Sequence, residues 1–197
     1  MQLRLRLVLV LAVVFVLSLL AGGCGHVPVT TLYKLWSYDF AQADPGAIRA
    51  AIRVPAALAP RPGGAKLTLE HGGVTDTFVL EEVTDRQERA LLSPYARSGY
   101  PVTVYRLASR DVTRLQELQK EINAHRTAGD KNAGGKLAVG IEACHRKGLP
   151  PGALLSSTYL KLDAEAGYMP LVEDVDLRKE IPADQLAEHV PPCGGSG

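Results

Sequence analysis

The chain has 197 residues, with 22 Lys and Arg against 21 Asp and Glu and a formal net charge of +1. So even a balance supplies no basic face for a nucleic acid and no charge excess for a polyanion, and both partner classes are set aside. The length is enough for one domain with a true core.

The chain opens on a basic flank, Arg4 and Arg6, followed by residues 7–20, LVLVLAVVFVLSLL, in which only Ser18 is polar. Leu20-Ala21-Gly22-Gly23-Cys24 comes next. Positive flank, short apolar core and small residues are the parts of a secretory signal. A plain transmembrane helix is the alternative. A span needs about 20 apolar residues, and this run ends in Gly22, Gly23, Gly25 and Pro28. The cysteine behind its small residues resembles the lipobox of bacterial lipoproteins, with Ala21 where that motif most often has Leu. The resemblance implies cleavage between Gly23 and Cys24, and acylation of Cys24 on its sulfur and its new amino terminus. It also implies, in a Gram-negative cell, sorting to the outer membrane facing the periplasm, because Gly25 stands where an inner-membrane retention signal has Asp. Each buried methylene contributes about 0.8 kcal/mol, so one acyl chain binds reversibly and several anchor for good. The first 23 residues hold two arginines and no acid, which leaves 20 basic against 21 acidic groups, a net −1, in the rest.

Residues 24–31 form a short tether, and residues 32–180 a single β-rich domain. Residues 32–40, LYKLWSYDF, alternate as a strand with Leu32, Trp36, Tyr38 and Phe40 on one face. Core packing is the plain use of such aromatics; a membrane-surface patch is the functional alternative. Residues 47–55, AIRAAIRVP, fit a helix or a strand. The strand is chosen because Val54-Pro55 favours an extended exit. It places Ile48, Ala50, Ile52 and Val54 inward and Arg49 and Arg53 outward. Residues 56–64 read as a Pro/Gly-rich loop.

Residues 66–83 are the clearest element. Gly72-Gly73 suit a two-residue hairpin turn, which sets Leu67 opposite Phe78 and Leu69 opposite Asp76. Leu67, Leu69, Val74, Phe78 and Leu80 then share a core face, against Thr68, Glu70, Thr75, Thr77 and Glu81 on the wet one. Residues 88–95 hold a helical turn broken at Pro94. Residues 102–107 are a strand. A helix follows over about 111–126, with Val112, Leu115, Leu118 and Ile122 as its apolar stripe. Thr113 with Gln116, or Ser109, is its expected cap. Asp111/Arg114 and Glu117/Lys120 are expected surface pairs, and Gly129 ends it. Residues 137–144, 158–162 and 169–175 are further strands, the last two joined through Gly167 at a left-handed position. Residues 181–197 form a Pro/Gly-rich tail with one helical turn around 183–188. The whole reads as a β-sandwich, or as an α+β sheet with the one amphipathic helix packed on it.

With Cys24 carrying lipid, Cys144 and Cys193 remain, an even pair in an oxidising compartment and so candidates for a disulfide. The alternative is a small buried Cys144 and a free Cys193 thiol. Residues 129–136, GDKNAGGK, fail as a phosphate loop, because the order there is helix–loop–strand. Cys144 and His145 are strand neighbours that face opposite ways. Asp163, Glu165, Glu173, Asp174 and Asp176 form an acidic region without EF-hand spacing, read as exposed edge carboxylates. No hydrolase signature occurs. No catalytic residue, metal or cofactor is assigned. The chain is read as a non-enzymatic, membrane-tethered domain that binds a protein of the cell envelope. An envelope enzyme acting on peptidoglycan, glycan or lipid is one alternative. The other is an inhibitor of an envelope-attacking enzyme, presenting residues 147–152.

Overall fold

A computed structural model describes residues 43–129 and 135–194. Its strands are β1 (Arg49–Arg53), β2 (Leu58–His71), β3 (Val74–Glu82), β4 (Val102–Leu107), β5 (Gly135–His145), β6 (Leu155–Lys161) and β7 (Met169–Asp176). The helices are α1 (Arg86–Ala90), α2 (Ser109–Thr127), α3 (Leu177–Glu180) and α4 (Leu186–His189). The protein is mostly β: the seven strands form one antiparallel, curled sheet in the order β5-β2-β3-β4-β1-β6-β7, with α2 packed on it. Of the two expected architectures, the single sheet with its helix is the one that forms.

The β2–β3 hairpin has the expected register, with Leu67 opposite Phe78 and Leu69 opposite Asp76. Gly72 and Gly73 both take positive φ, as the two-residue turn requires. Leu67, Leu69, Phe78 and Leu80 are buried, while Val74, at the turn, is 63% exposed, because the hairpin tip extends past the core. Residues 56–64 are not a loop. β2 starts at Leu58 and bulges between Pro60 and Ala65 while β5 opposite advances only from Ala143 to Ile141. Gly64 makes this possible: a Cβ there would sit 2.8 Å from the carbonyl oxygen of Glu142. A bulge absorbs Pro and Gly that a regular strand rejects.

Helix α2 has Ala108 at its N-cap position and no side-chain cap, so neither Ser109 nor the Thr113/Gln116 box caps it. Asp111 in its first turn complements the dipole instead. Its carboxylate lies 3.4 Å from Arg114, the expected pair. Arg114 also fastens the helix to β3, stacking 4.1 Å from the Phe78 ring centroid and donating to the Thr77 carbonyl at 2.8 Å. Leu115 and Ile122 are buried and Val112 and Leu118 pack beside them, each fully buried side chain contributing about 1.5–3 kcal/mol. Gly129 closes the helix at positive φ.

The larger core lies under α2 and takes Ile48, Ala50, Ile52 and Val54 from β1. The smaller lies on the opposite face and gathers Ala51, Val83, Leu92, Val104, Tyr159 and Tyr168, with Tyr95 and Val102 beside them. It is roofed by the β3–β4 connection, residues 83–101, which carries α1 and a 3₁₀ turn at Ser93–Tyr95 started, not broken, by Pro94. Central strand β1 is thus covered on both faces, and Arg53, expected outward, is only 3% exposed. Gly167 has no left-handed conformation; β6 and β7 are joined by a longer irregular link. The C-terminal stretch is no loose tail: Leu186 and Val190 belong to the larger core. Residues 32–40 lie outside the described residues.

Candidate functional site

Polar chemistry concentrates under the roof of the smaller core. β6 and β7 pair Ser156 with Val175 and Thr158 with Val172, so β7 carries one residue too many across this interval. The extra residue forms a bulge, a device that re-aims a side chain. Asp174 sits in it at φ 51°, in the left-handed region where aspartate is tolerated better than most. Its carboxylate turns towards β1. Arg53 donates from Nη2 to Asp174 Oδ1 at 2.7 Å and to Ser157 Oγ at 2.7 Å, and from Nη1 to the Tyr95 carbonyl at 2.9 Å. Arg97, on the roof, donates from Nη1 to both carboxylate oxygens, at 3.1 and 2.9 Å. The Asp174 N–H donates to Ser157 Oγ at 2.9 Å. The Arg53 guanidinium also lies 5.6 Å from the Tyr159 ring centroid.

Burial pushes the Asp174 carboxyl up, but the hydrogen bonds and charges of Arg97 and Arg53 together outweigh it and hold the group below the usual carboxylate range. The hydrogen bond and charge of Asp174 raise Arg97 in turn. Desolvation raises the Tyr159 hydroxyl. A carboxylate with both oxygens occupied by guanidinium donors is a poor proton acceptor. The arrangement suits holding segments together. It ties β1 through Arg53, the roof through Arg97 and Tyr95, and the β6–β7 pair through Ser157 and Asp174. Two further pins secure the roof. Tyr95 Oη donates to the Tyr168 carbonyl at 3.0 Å, and Arg49 Nε pairs with Glu88 at 2.6 Å.

The residues singled out from the sequence fall into three groups. Gly23 and Cys24 lie outside the described residues. Cys144 and Cys193 form a disulfide with Cα atoms 4.9 Å apart, so neither thiol is free for nucleophilic or metal chemistry. His145 braces the neighbouring turn, accepting from the Gly148 N–H at 2.9 Å through Nδ1. Its backbone holds the C-terminal stretch, donating to the Pro191 carbonyl and accepting from the Cys193 N–H, each at 2.9 Å. The acidic region does not converge. Asp163 accepts from the Glu165 N–H, and Asp176 caps the Leu154 and Arg178 N–H groups. Glu173 approaches the Tyr159 hydroxyl at 3.4 Å. Asp174, expected as an ordinary edge carboxylate, is the centre of the knot. Among the described residues no three His, Cys, Asp or Glu stand together as metal ligands.

An open groove of about 350 Å³ lies between α2 and the first described residues, lined by Ala43, Asp44, Pro45, Gln116, Gln119, Lys120 and Asn123. Gln119 spans its floor, donating to the Ala43 carbonyl at 2.9 Å.

No known family model, no curated protein and no solved structure matches the chain.

Proposed function

We propose that this chain is a lipid-tethered protein of the bacterial cell envelope whose β-rich body binds another envelope component and does not turn over a substrate. The observation that supports the reading is the Cys144–Cys193 bridge. Disulfides persist in oxidising compartments, and this one leaves Cys24 as the odd sulfur of three, the residue the lipobox resemblance assigns to acylation. The Asp174 knot adds to it, since its one carboxylate is spent on holding the roof. Metabolic labelling with a palmitate analogue in a Gram-negative host tests the tether. Label on the wild-type chain, lost in Cys24→Ser, is the expected result, together with a mobility shift under globomycin. An unlabelled chain with unchanged mobility overturns the reading.

The inhibitor alternative also has an observation in its favour. Residues 147–152 form a braced loop, with Lys147, Gly148, Pro151 and Gly152 exposed and Arg178 donating to the Gly152 and Pro150 carbonyls, each at 2.7 Å. A loop held in one shape loses little entropy on docking. Titration against a panel of peptidoglycan hydrolases and proteases tests it. Inhibition weakened by both Lys147→Ala and Arg178→Ala supports this second reading; no inhibition across the panel removes it.

A further inference from the structure

The two outer strands of the sheet are built differently. β7 carries Pro170, two register shifts and three carboxylates, Glu173, Asp174 and Asp176, the devices that keep an edge from pairing. β5 carries none over residues 137–141: the run is Leu137-Ala138-Val139-Gly140-Ile141, uncharged and without proline. Its side chains alternate as a strand should. Leu137, Val139 and Ile141 pack half-buried beside the larger core, and Ala138 and Gly140 are exposed.

The direction of the free backbone groups follows from the ends of β5. The Arg146 N–H donates inward, to the Ala57 carbonyl before β2, while the His145 N–H points away, to Pro191. Alternation along a strand then turns the N–H and C=O groups of Leu137, Val139 and Ile141 outward. Among the described residues the C-terminal stretch meets this edge only at its end, in a parallel bridge between His145 and Pro192. Among the described residues nothing else pairs with the edge, and the rest of it is a row of outward donors and acceptors.

We infer that this edge pairs with the same edge of a second copy, antiparallel and about a two-fold axis through Val139. The sequence is self-complementary in that register. Val139 faces Val139 of the second copy, Leu137 faces Ile141, and the two small residues Ala138 and Gly140 face each other. The outward groups fall opposite outward groups, as the hydrogen-bonded pairs of an antiparallel ladder require. The charged positions flanking the run match as well, with Lys136 set opposite Glu142 of the second copy on both sides of the axis. Shifting the register by two residues keeps the hydrogen bonds but separates Lys136 from Glu142, so charge selects the symmetric register. Glu142 already pairs with Lys66 on its own sheet, and the second copy adds a cation to that same exposed carboxylate. An isologous contact of this kind closes on itself as a dimer and does not propagate. The inference does not depend on the membrane tether.

One shared strand pair is a small interface, at the weak end of specific association. Sedimentation equilibrium of the full chain in density-matched detergent, over a range of loadings, measures it. A monomer–dimer equilibrium is expected. Lys136→Glu puts like charges opposite each other twice and weakens dimerisation about ten-fold; Lys136→Glu with Glu142→Lys recovers it. Val139→Pro removes an N–H that the ladder to β2 does not use and abolishes the dimer, with circular dichroism checking that the fold survives. A monomer at every loading overturns the inference. So does a dimer indifferent to the charge swap and to Val139→Pro, which places the contact elsewhere. A monomer whose Leu137, Val139 and Ile141 amides resist hydrogen exchange also overturns it, and shows the edge filled from within the same chain.

Discussion

Two segments are strapped onto the sheet by different means. The C-terminal stretch is held at the end of β5 by the covalent Cys144–Cys193 bridge, and it supplies Leu186 and Val190 to the larger core. The β3–β4 connection is held over β1 and β6 by the Asp174 knot and supplies Leu92 to the smaller core. The covalent strap acts mainly on the unfolded chain, by shortening its loops, and ignores pH and salt. The ionic strap acts on the folded chain, depends on both, and recruits partners 121 and 77 residues from Asp174. A fold that combines them has one segment that answers to redox conditions and another that answers to acidity.

The largest expected effect comes from removing the covalent strap. The bridge spans 49 residues, and a loop of that size corresponds to about 4 kcal/mol. Urea unfolding of Cys144→Ala/Cys193→Ala should show a loss of that order, unchanged between pH 5 and pH 8. A loss that varies with pH across that range would mean the two straps are coupled.

Asp174→Asn cuts the ionic strap while keeping a residue that tolerates positive φ. It strands the buried Arg53 guanidinium beside Arg97. Because the Asp174 side chain is 38% exposed, solvent screening reduces the several kcal/mol of a fully buried broken pair to about 1–2 kcal/mol. Urea unfolding measures this loss too, and unlike the first it should shrink in acid. Asp174→Gly separates the backbone from the charge: if strain at φ 51° is the larger part, glycine should be less damaging than asparagine.

Acid alone should loosen the roof and spare the C-terminal strap. The Asp174 carboxyl is held below its ordinary value, so its contribution is complete above the unfolded carboxylate range, near pH 4. It is lost as pH falls through the lower folded value. Amide exchange in residues 83–101 should quicken on descending from pH 5 to pH 2.5, after correction for intrinsic rates. The Cys193 amide should change little. Equal quickening in both segments would mean that the two straps share one response to acid.

The smallest effect belongs to Arg97→Ala. This guanidinium lies on the surface, so the global unfolding midpoint should hold while exchange at Tyr95 and Ala96 rises. A large drop in the midpoint would place the weight of the knot on Arg97 and not on Arg53.

Local chemistry is what made much of this fold legible. The Gly72-Gly73 turn dictated the hairpin register to the residue, because a two-residue loop permits one pairing. Strands β4 to β7 were readable from alternation to within a few residues, and α2 from its stripe. The β2 bulge was not readable, since Pro60 to Gly64 resembles any other loop until Glu142 closes over Gly64. Arg53 was misplaced for a related reason. Periodicity sorts residues into two faces, and only the roof, 83–101, reveals that both faces of β1 are covered. The knot could not have been found from spacing, because its members come from four separate stretches of the chain. The available hints were two arginines, Arg49 and Arg53, within an otherwise apolar run, and a separate strand ending in acids.

The amino-acid sequence by itself determined most of the elements, the hairpin register and the resemblance of residues 20–24 to a lipid-attachment signal, because each rests on neighbours along the chain. The tertiary structure alone decided the strand order, the joining of Cys144 to Cys193, the burial of Arg53 and the aim of Asp174, because each depends on which distant segment arrives to cover or pair with it.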